Sequence, residues 1–158
     1  MTDRLREELR RRRPFDSPAE EALLNLLRTA ALFEAEQARF FRRFDLTPTQ
    51  YNALRILRGA RPATLTCSEV GERMVTPVPD VTRLLDRLTA KGLASRSRGE
   101  EDRRVVRAGI SEAGLALLAE IEPPLGKWIK ERLGHLPDGE LRRLSELLER
   151  ARAQIEPD

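Results

Sequence analysis

The residue types that carry most enzymatic and metal chemistry are nearly absent from this sequence of 158 residues. It contains one cysteine, Cys67, and one histidine, His135, which falls in a predicted loop between helices. One thiol and one imidazole cannot form an internal disulfide, and they leave little for a zinc site or a catalytic triad. The sequence also contains no glycine-rich phosphate loop and no Gly-x-Ser-x-Gly nucleophile motif. We therefore predict that the chain is not an enzyme and has no catalytic residue, metal site or cofactor.

Cationic side chains are concentrated in two segments, and this pattern favours nucleic-acid binding. Residues 73–107 carry nine Arg or Lys against five acids, and residues 1–13 carry six Arg against three acids. The net charge of the whole chain is only +3, so the remaining residues are acidic in balance. Clustered guanidinium groups neutralise phosphates and pair with bases. Aromatic residues make up only 4% of the chain, which argues against an RNA-stacking surface.

Capping and stop signals predict the helices that must position these arginines. Three segments have the pattern of a capping box, namely Ser17-Pro18-Ala19-Glu20, Thr47-Pro48-Thr49-Gln50 and Thr66-Cys67-Ser68-Glu69. A further helix is expected to begin at about Pro79, and Lys91-Gly92-Leu93 is a strong signal for its end. The chain therefore has two short, closely spaced helices just before its most basic segment.

A charged hairpin is predicted to follow these two helices. Residues 94–97 and 105–108 are β-prone and flank a charged tip at 98–104. Ser111 can then cap a long helix, which a Pro-Pro pair should bend, and Asp138 can cap the last helix. This order predicts a mainly α fold with a small β-hairpin, in which N- and C-terminal dimerisation helices frame a winged helix-turn-helix lobe.

The expected organisation is a basic N-terminal extension at 1–16 followed by one domain at 17–158. Within that domain we assign 17–45 and 111–158 to dimerisation helices and 46–110 to the winged helix-turn-helix lobe. The outer helices carry more apolar surface than one small lobe can cover, which favours a homodimer. The longest uncharged run is nine residues and no secretory signal is visible, so we expect a cytoplasmic protein without a membrane partner.

The arginines of the N-terminal extension allow two interpretations. Residues 10–13 could form a flexible arm that touches flanking DNA. They could equally extend a frayed helix and pair with Glu7 and Glu8.

Spaced motifs between residues 46 and 114 match those of one regulator family, and they occur in the family's order. They are Leu46-Thr47-Pro48-Thr49-Gln50-Tyr51; Thr66, Ser68, Glu69 and Val70; Val81-Thr82-Arg83-Leu84, Asp86-Arg87-Leu88 and Lys91-Gly92-Leu93; and Asp102, Arg104, Ile110, Ser111 and Gly114. In this respect the chain resembles the multiple-antibiotic-resistance regulator (MarR) family of bacterial transcription factors. The resemblance implies a triangular homodimer that binds a palindromic DNA operator, most simply as a repressor that a small ligand or an oxidant releases.

The resemblance implies one set of DNA contacts from the recognition helix. Its first turns carry Asp80, Thr82 and Arg83, and Arg87 lies one turn further on. Arg83 is a candidate partner for guanine, and Asp80 can accept a hydrogen bond from cytosine. The sequence departs from the family pattern at Pro79, which has no amide to donate to a phosphate. The alternative is a solvated amphipathic face with ordinary charge spacing.

The hairpin tip is the second expected DNA contact. Arg104 resembles the family's wing-tip arginine, which enters a narrow and strongly negative minor groove, and Asp102 would orient it. Arg98 and Arg103 are further candidates, better suited to the DNA backbone. The alternatives are an exposed charged turn, or a winged-helix module that binds protein instead of DNA, against which the arginine content argues.

An effector site and a redox switch are the two regulatory devices that the resemblance suggests. A small aromatic or anionic effector could bind at the junction of the dimerisation helices and the lobe, near the residues Phe40, Phe41, Phe44, Tyr51 and Arg55. Core packing of the aromatic residues is the alternative. Cys67, in the first turn of a helix, could sense an oxidant, but a small half-buried filler is the simpler interpretation.

Overall fold

The computed structural model of the chain describes residues 4–98 and 106–155. These ranges form seven helices and three strands: α1 (Arg4–Glu8), α2 (Pro18–Arg42), α3 (Pro48–Ala60), β1 (Leu65–Thr66), α4 (Cys67–Glu72), α5 (Val81–Ala90), β2 (Ala94–Arg98), β3 (Val106–Ile110), α6 (Glu112–Leu133) and α7 (Asp138–Arg152). The strands form one antiparallel sheet in the order β1-β3-β2. The predicted fold class, mainly helical with a small β-hairpin, is confirmed.

Local capping accounts for the starts of α2, α3 and α4. Thr47 and Thr66 each form a complete capping box with the residue three positions on, as predicted. Ser17 accepts from the backbone N–H of Glu20, but the Glu20 carboxylate accepts from the N–H of Asp16 instead of completing the box. Each of these side chains satisfies an N–H group that the helix itself leaves without a partner.

Two predictions about helix starts were wrong. Helix α5 begins at Val81 and not at about Pro79, because the Asp80 carboxylate accepts from the backbone N–H of Arg83 and makes Asp80 the N-cap. Helix α7 begins at Asp138 behind an N-cap Pro137, without a side-chain cap. Helix α6 is one continuous helix through its internal proline pair.

The hairpin lies where it was predicted, and a third strand completes the sheet. The β2–β3 register runs from Ala94 opposite Ile110 to Arg98 opposite Val106. Strand β1 pairs with the outer edge of β3, although the sequence indicated only an extended link there. The chain leaves α5 through Gly92, whose φ of 70° fits its predicted role as a left-handed helix stop.

The inner faces of α3, α4, α5 and α6 pack against one another and form the core. Its least exposed large side chains are Leu54, Leu57, Val70, Leu85, Leu88, Leu118 and Ile121. Full burial of one such side chain contributes roughly 1.5–3 kcal/mol. Gly114, at the start of α6, lies so close to the carbonyl of Leu93 that a Cβ would collide with it. Packing of its inner face against this core therefore holds α5 in place.

The outer helices keep much of their apolar surface exposed. Helix α7 has no buried residue, although Leu144 and Leu147 lie on one face of it. Helix α2 likewise exposes Leu23, Leu26 and Leu27. In the single chain, the outer helices therefore expose the excess of apolar surface that the sequence predicted for them.

The N-terminal segment fits neither of its two interpretations fully. Helix α1 is short and buries Leu5, and Glu8 lies 3.8 Å from Arg28 of α2. Arg11 pairs with Glu20 at 2.5 Å and covers the ring of Phe15. These contacts hold the segment against the start of α2.

Candidate nucleic-acid interface

The exposed face of α5 carries two arginines with no acidic partner in the described ranges. Leu84, Leu85 and Leu88 point into the core, so the helical period turns Arg83 and Arg87 outward. Among residues 4–98 and 106–155, no carboxylate lies within ion-pair distance of either guanidinium. Both groups can therefore bind an external anion or a base edge.

Asp80 and Thr82 lie at the start of the same helix, but each also has a structural role. One carboxylate oxygen of Asp80 is occupied by the Arg83 N–H at 2.8 Å, which leaves the other for an external donor. The Thr82 hydroxyl donates to Cys67 Sγ at 3.6 Å, and the Thr82 carbonyl accepts from Arg96. Asp80, Thr82 and Arg83 thus lie at the start of α5, and Arg87 lies in its last turn.

The turn between α4 and α5 is tied to α3. The side-chain oxygen of Asn52 accepts from the backbone N–H of Val75 at 2.9 Å. Val75 itself is fully in solvent, which is unusual for a branched apolar side chain. This hydrogen bond to α3 therefore fixes the position of the turn that leads into α5.

Two arginines at the base of the hairpin were not singled out by the sequence reasoning. Arg96 of β2 binds α5, and Arg107 of β3 binds the β1 segment at Thr64. A signal for Arg96 exists in the sequence, because strand alternation places it on the same face as Ala94, which is buried. An arginine on the inward face of a strand needs a specific partner.

The candidates at the hairpin tip are only partly covered by the structure. Arg98 is the last residue of β2. Asp102, Arg103 and Arg104 lie outside the described residues. In the sequence they stand between the end of β2 at Arg98 and the start of β3 at Val106.

The cap of α4 lowers the pKa of one acidic group near this face. The pKa of Glu69 is lowered, first because the backbone N–H of Thr66 donates to its carboxylate. The Thr66 side chain and the nearby charges of Arg107 and Arg73 act in the same direction. A lowered pKa means that this contribution to stability is present at neutral pH and is lost as the pH falls through the folded-state pKa.

The candidate effector residues lie mainly in the core. Phe40, Phe41 and Tyr51 are buried, and the rings of Phe41 and Tyr51 stack with centroids 4.4 Å apart. Phe44 is half-buried against Phe40, and Arg55 is exposed. This arrangement supports the packing interpretation for the aromatic residues. A surface cavity of about 420 Å³ lies elsewhere, between α1 and α2.

None of the helices in residues 4–155 that the structure describes has the length and apolar character needed to cross a membrane. Within the same part of the chain, no three metal-ligating side chains come together.

Comparison with known proteins connects this geometry to one family. Residues 44–105 match the model of the MarR family. The HTH-type transcriptional regulator MhqR of Bacillus subtilis is 31% identical over 107 residues, which span 66% of this chain and 71% of that protein. The crystal structure of a MarR transcription factor from Planctomyces limnophilus is 40% identical with a TM-score of 0.68, covering 86% of this chain and 98% of that one.

A further solved structure shares the fold alone. It is the complex of S. aureus MepR with DNA, which is 20% identical with a TM-score of 0.74 and covers 83% of this chain and 96% of that one. Proteins of the MarR family are transcription regulators that bind DNA and have no enzymatic activity. The sequence similarity, the fold and the exposed arginines of α5 all agree with this description, and the chain belongs to the MarR family of transcription regulators.

Proposed function

We propose that this protein is a homodimeric repressor that binds a palindromic operator and leaves it when a small ligand binds. The observation that carries the proposal is the recognition helix, which is buried on one face and presents Arg83 and Arg87 without a described acidic partner on the other. Exposed guanidinium groups one turn apart on the same face of a helix suit phosphates and guanine edges.

We assign different functions to the apolar and the basic surfaces of the chain. We assign the dimer interface to 17–45 and 111–158, where apolar side chains are exposed on α2 and α7. We assign operator binding to the lobe at 46–110. Two identical lobes related by a twofold axis require two half-sites of the same kind, which is why a palindrome is expected.

Each lobe would use two grooves. In the major groove, Arg83 would pair with guanine, and Asp80, Thr82 and Arg87 would contact neighbouring bases or phosphates. In the minor groove, Arg104 would enter from the wing, oriented by Asp102. Arg98 and Arg103 would bind the DNA backbone beside it. The complete proposed DNA site is Asp80, Thr82, Arg83, Arg87, Arg98, Asp102, Arg103 and Arg104.

The most direct test is footprinting of the purified protein on genomic DNA. We expect protected sites with twofold symmetry and an affinity that falls steeply with salt, because each neutralised phosphate releases counterions. A winged-helix module that binds only protein would show neither protection nor a salt slope, and that result would reject the proposal. The genes beside the protected sites would also indicate the effector.

The effector site is proposed at the junction of α2 and α3. Phe40, Phe41 and Tyr51 form its packed floor, and only Phe44 and Arg55 offer surface to a ligand. A small aromatic acid would match this combination of ring and guanidinium. Titration of the operator complex with such acids, in parent and Arg55→Ala proteins, would test this placement.

Replacing Arg104 by alanine is expected to weaken operator binding several-fold without unfolding the protein. A guanidinium at a hairpin tip contributes little to the core, while its loss removes a cation from the narrow groove. The measurements are operator affinity at moderate salt and a thermal melt by circular dichroism. Arg150→Ala, an exposed arginine on α7, is the control for loss of one charge. Equal affinities for the Arg104 variant and the parent would remove Arg104 from the site.

Replacing Cys67 by serine is expected to leave DNA binding and its response to mild peroxide nearly unchanged. Cys67 is half-buried, its Sγ already accepts from Thr82, and the chain has no second cysteine to resolve a sulfenic acid. Operator affinity of both proteins with and without peroxide is the measurement. If peroxide releases the parent but not the serine variant, the protein is a thiol-based redox switch and the ligand proposal is wrong.

A further inference from the structure

The side chain of Arg96 links the wing hairpin to α5 by polar contacts. Its Nη2 donates to the backbone carbonyl of Thr82 at 2.9 Å and lies 3.0 Å from a carboxylate oxygen of Asp86. Thr82 and Asp86 are one turn apart on α5, so a single guanidinium spans the turn that precedes Arg87. The Arg96 side chain is only 23% exposed, whereas that of Asp86 is 57% exposed, so the contact lies at the protein surface.

A second arginine fastens the other strand to the rest of the lobe. Arg107 of β3 donates to the carbonyl and hydroxyl oxygens of Thr64, at 2.6 and 3.1 Å, and lies 3.6 Å from Glu69 at the start of α4. Arg107 faces Ser97 in the register, one position along from Arg96 and Ala108. Neighbouring register positions point to opposite faces of a sheet, so the two arginines hold the hairpin from both sides.

We propose that Arg96 is a positioning residue that sets the distance and direction of the wing relative to the recognition helix. The inference rests on the proposed function, in which the wing and α5 enter adjacent grooves of the same duplex. A two-stranded hairpin is only marginally stable without support, so its direction depends on what its strands are attached to. Arg96 would thus act on DNA through Arg104 and not by touching DNA itself.

The chemistry of the contact favours a geometric role over a purely electrostatic one. The same nitrogen, Nη2, contacts the Thr82 carbonyl and the Asp86 carboxylate from the end of a rigid guanidinium plane, whereas a lysine ammonium lies on a shorter and more flexible stem. The Arg96 Nε is buried without a hydrogen-bond partner in the described residues, and the guanidinium contacts α5 through Nη2. A lysine would keep the charge and lose this geometry.

The test compares Arg96→Gln and Arg96→Lys, each alone and combined with Arg104→Ala, on an operator recovered from genomic DNA by the protein itself. We expect Arg96→Gln to lower operator affinity by about tenfold, the scale of a lost hydrogen bond to a charged group. Arg96→Lys should not restore it. Minor-groove protection from hydroxyl radicals should be lost, while methylation protection of guanines in the major groove persists.

Combination with the wing-tip variant separates positioning from simple destabilisation. If Arg96 acts through the wing, Arg96→Gln should cost no more than about twofold once Arg104 is already alanine. Fully additive losses, or full rescue by lysine with a salt slope unchanged from the parent, would overturn the inference. Unchanged affinity for Arg104→Ala alone would instead show that the proposed wing contact is wrong. Faster amide exchange of β2 and the first turn of α5 in DNA-free Arg96→Gln is expected, and parent-like exchange there would also overturn the inference.

Discussion

Replacing both Leu144 and Leu147 by aspartate is expected to convert the protein to monomers and to abolish operator binding at concentrations that saturate the parent. The two side chains are 43% and 46% exposed on a helix that buries no residue within its own chain. Burial of a leucine in an interface contributes roughly 1.5–3 kcal/mol. An aspartate in its place adds the cost of a desolvated carboxylate, and the expected loss is largest for a twofold interface because each change occurs twice.

Operator binding should fail with the dimer, because a monomer engages one half-site and loses the effective concentration that linked lobes provide. Sedimentation velocity gives the assembly state, and a titration with labelled operator gives the affinity. Arg142→Asp is the matched control, since it changes the charge of α7 by the same two units on the opposite face. A double-aspartate variant that stays dimeric would show that α7 is not the interface. A monomer that still binds the operator at parent affinity would show that dimerisation is not needed.

The parts of the fold that sequence reasoning predicted well depend on contacts within four residues. Thr47 and Thr66 each begin a helix, because a side-chain oxygen meets an N–H three positions on. Gly92 ends α5 for a similarly local reason. The hairpin was predictable because β-prone segments flank one charged run.

The failures arose where two local signals competed. Pro79 suits the first turn of a helix, but Asp80 can accept from the N–H of Arg83, and this bond moved the start of α5 to Val81. In α7, Asp138 lies inside the first turn of the helix. Its negative charge interacts favourably with the positive end of the helix dipole, but its side chain does not cap the helix. The family resemblance had implied that α5 is the recognition helix, and only the start of that helix was misplaced.

The site residues that sequence reasoning missed depend on contacts between distant elements. Arg96 and Thr82 are 14 residues apart, and Arg107 and Thr64 are 43 apart. Residue type does not distinguish these arginines from those expected to face DNA. Strand alternation placed Arg96 inward, but its partner on α5 emerges only when the sheet packs against the helix.

Replacing Arg83 by alanine is expected to relax sequence preference more than it weakens binding to random DNA. The side chain is exposed on the first turn of α5, and no described carboxylate competes for it. A bidentate contact between arginine and guanine contributes roughly 1–3 kcal/mol of discrimination, which corresponds to a loss of about fivefold to 150-fold in specific affinity. A phosphate contact would instead lower both affinities together and reduce the salt slope by about one.

The measurement is the ratio of operator to random-duplex affinity for parent, Arg83→Ala and Arg83→Lys. Lysine keeps the charge but lacks the planar fork, so we expect it to retain random-DNA binding while much of the preference is lost. Arg150→Ala, an exposed arginine on α7 outside the proposed DNA site, is the control for loss of one cation. If the affinities of Arg83→Ala for operator and random DNA fall in the same proportion, Arg83 holds the DNA backbone. The sequence preference must then come from other residues of α5 or from the deformability of the operator.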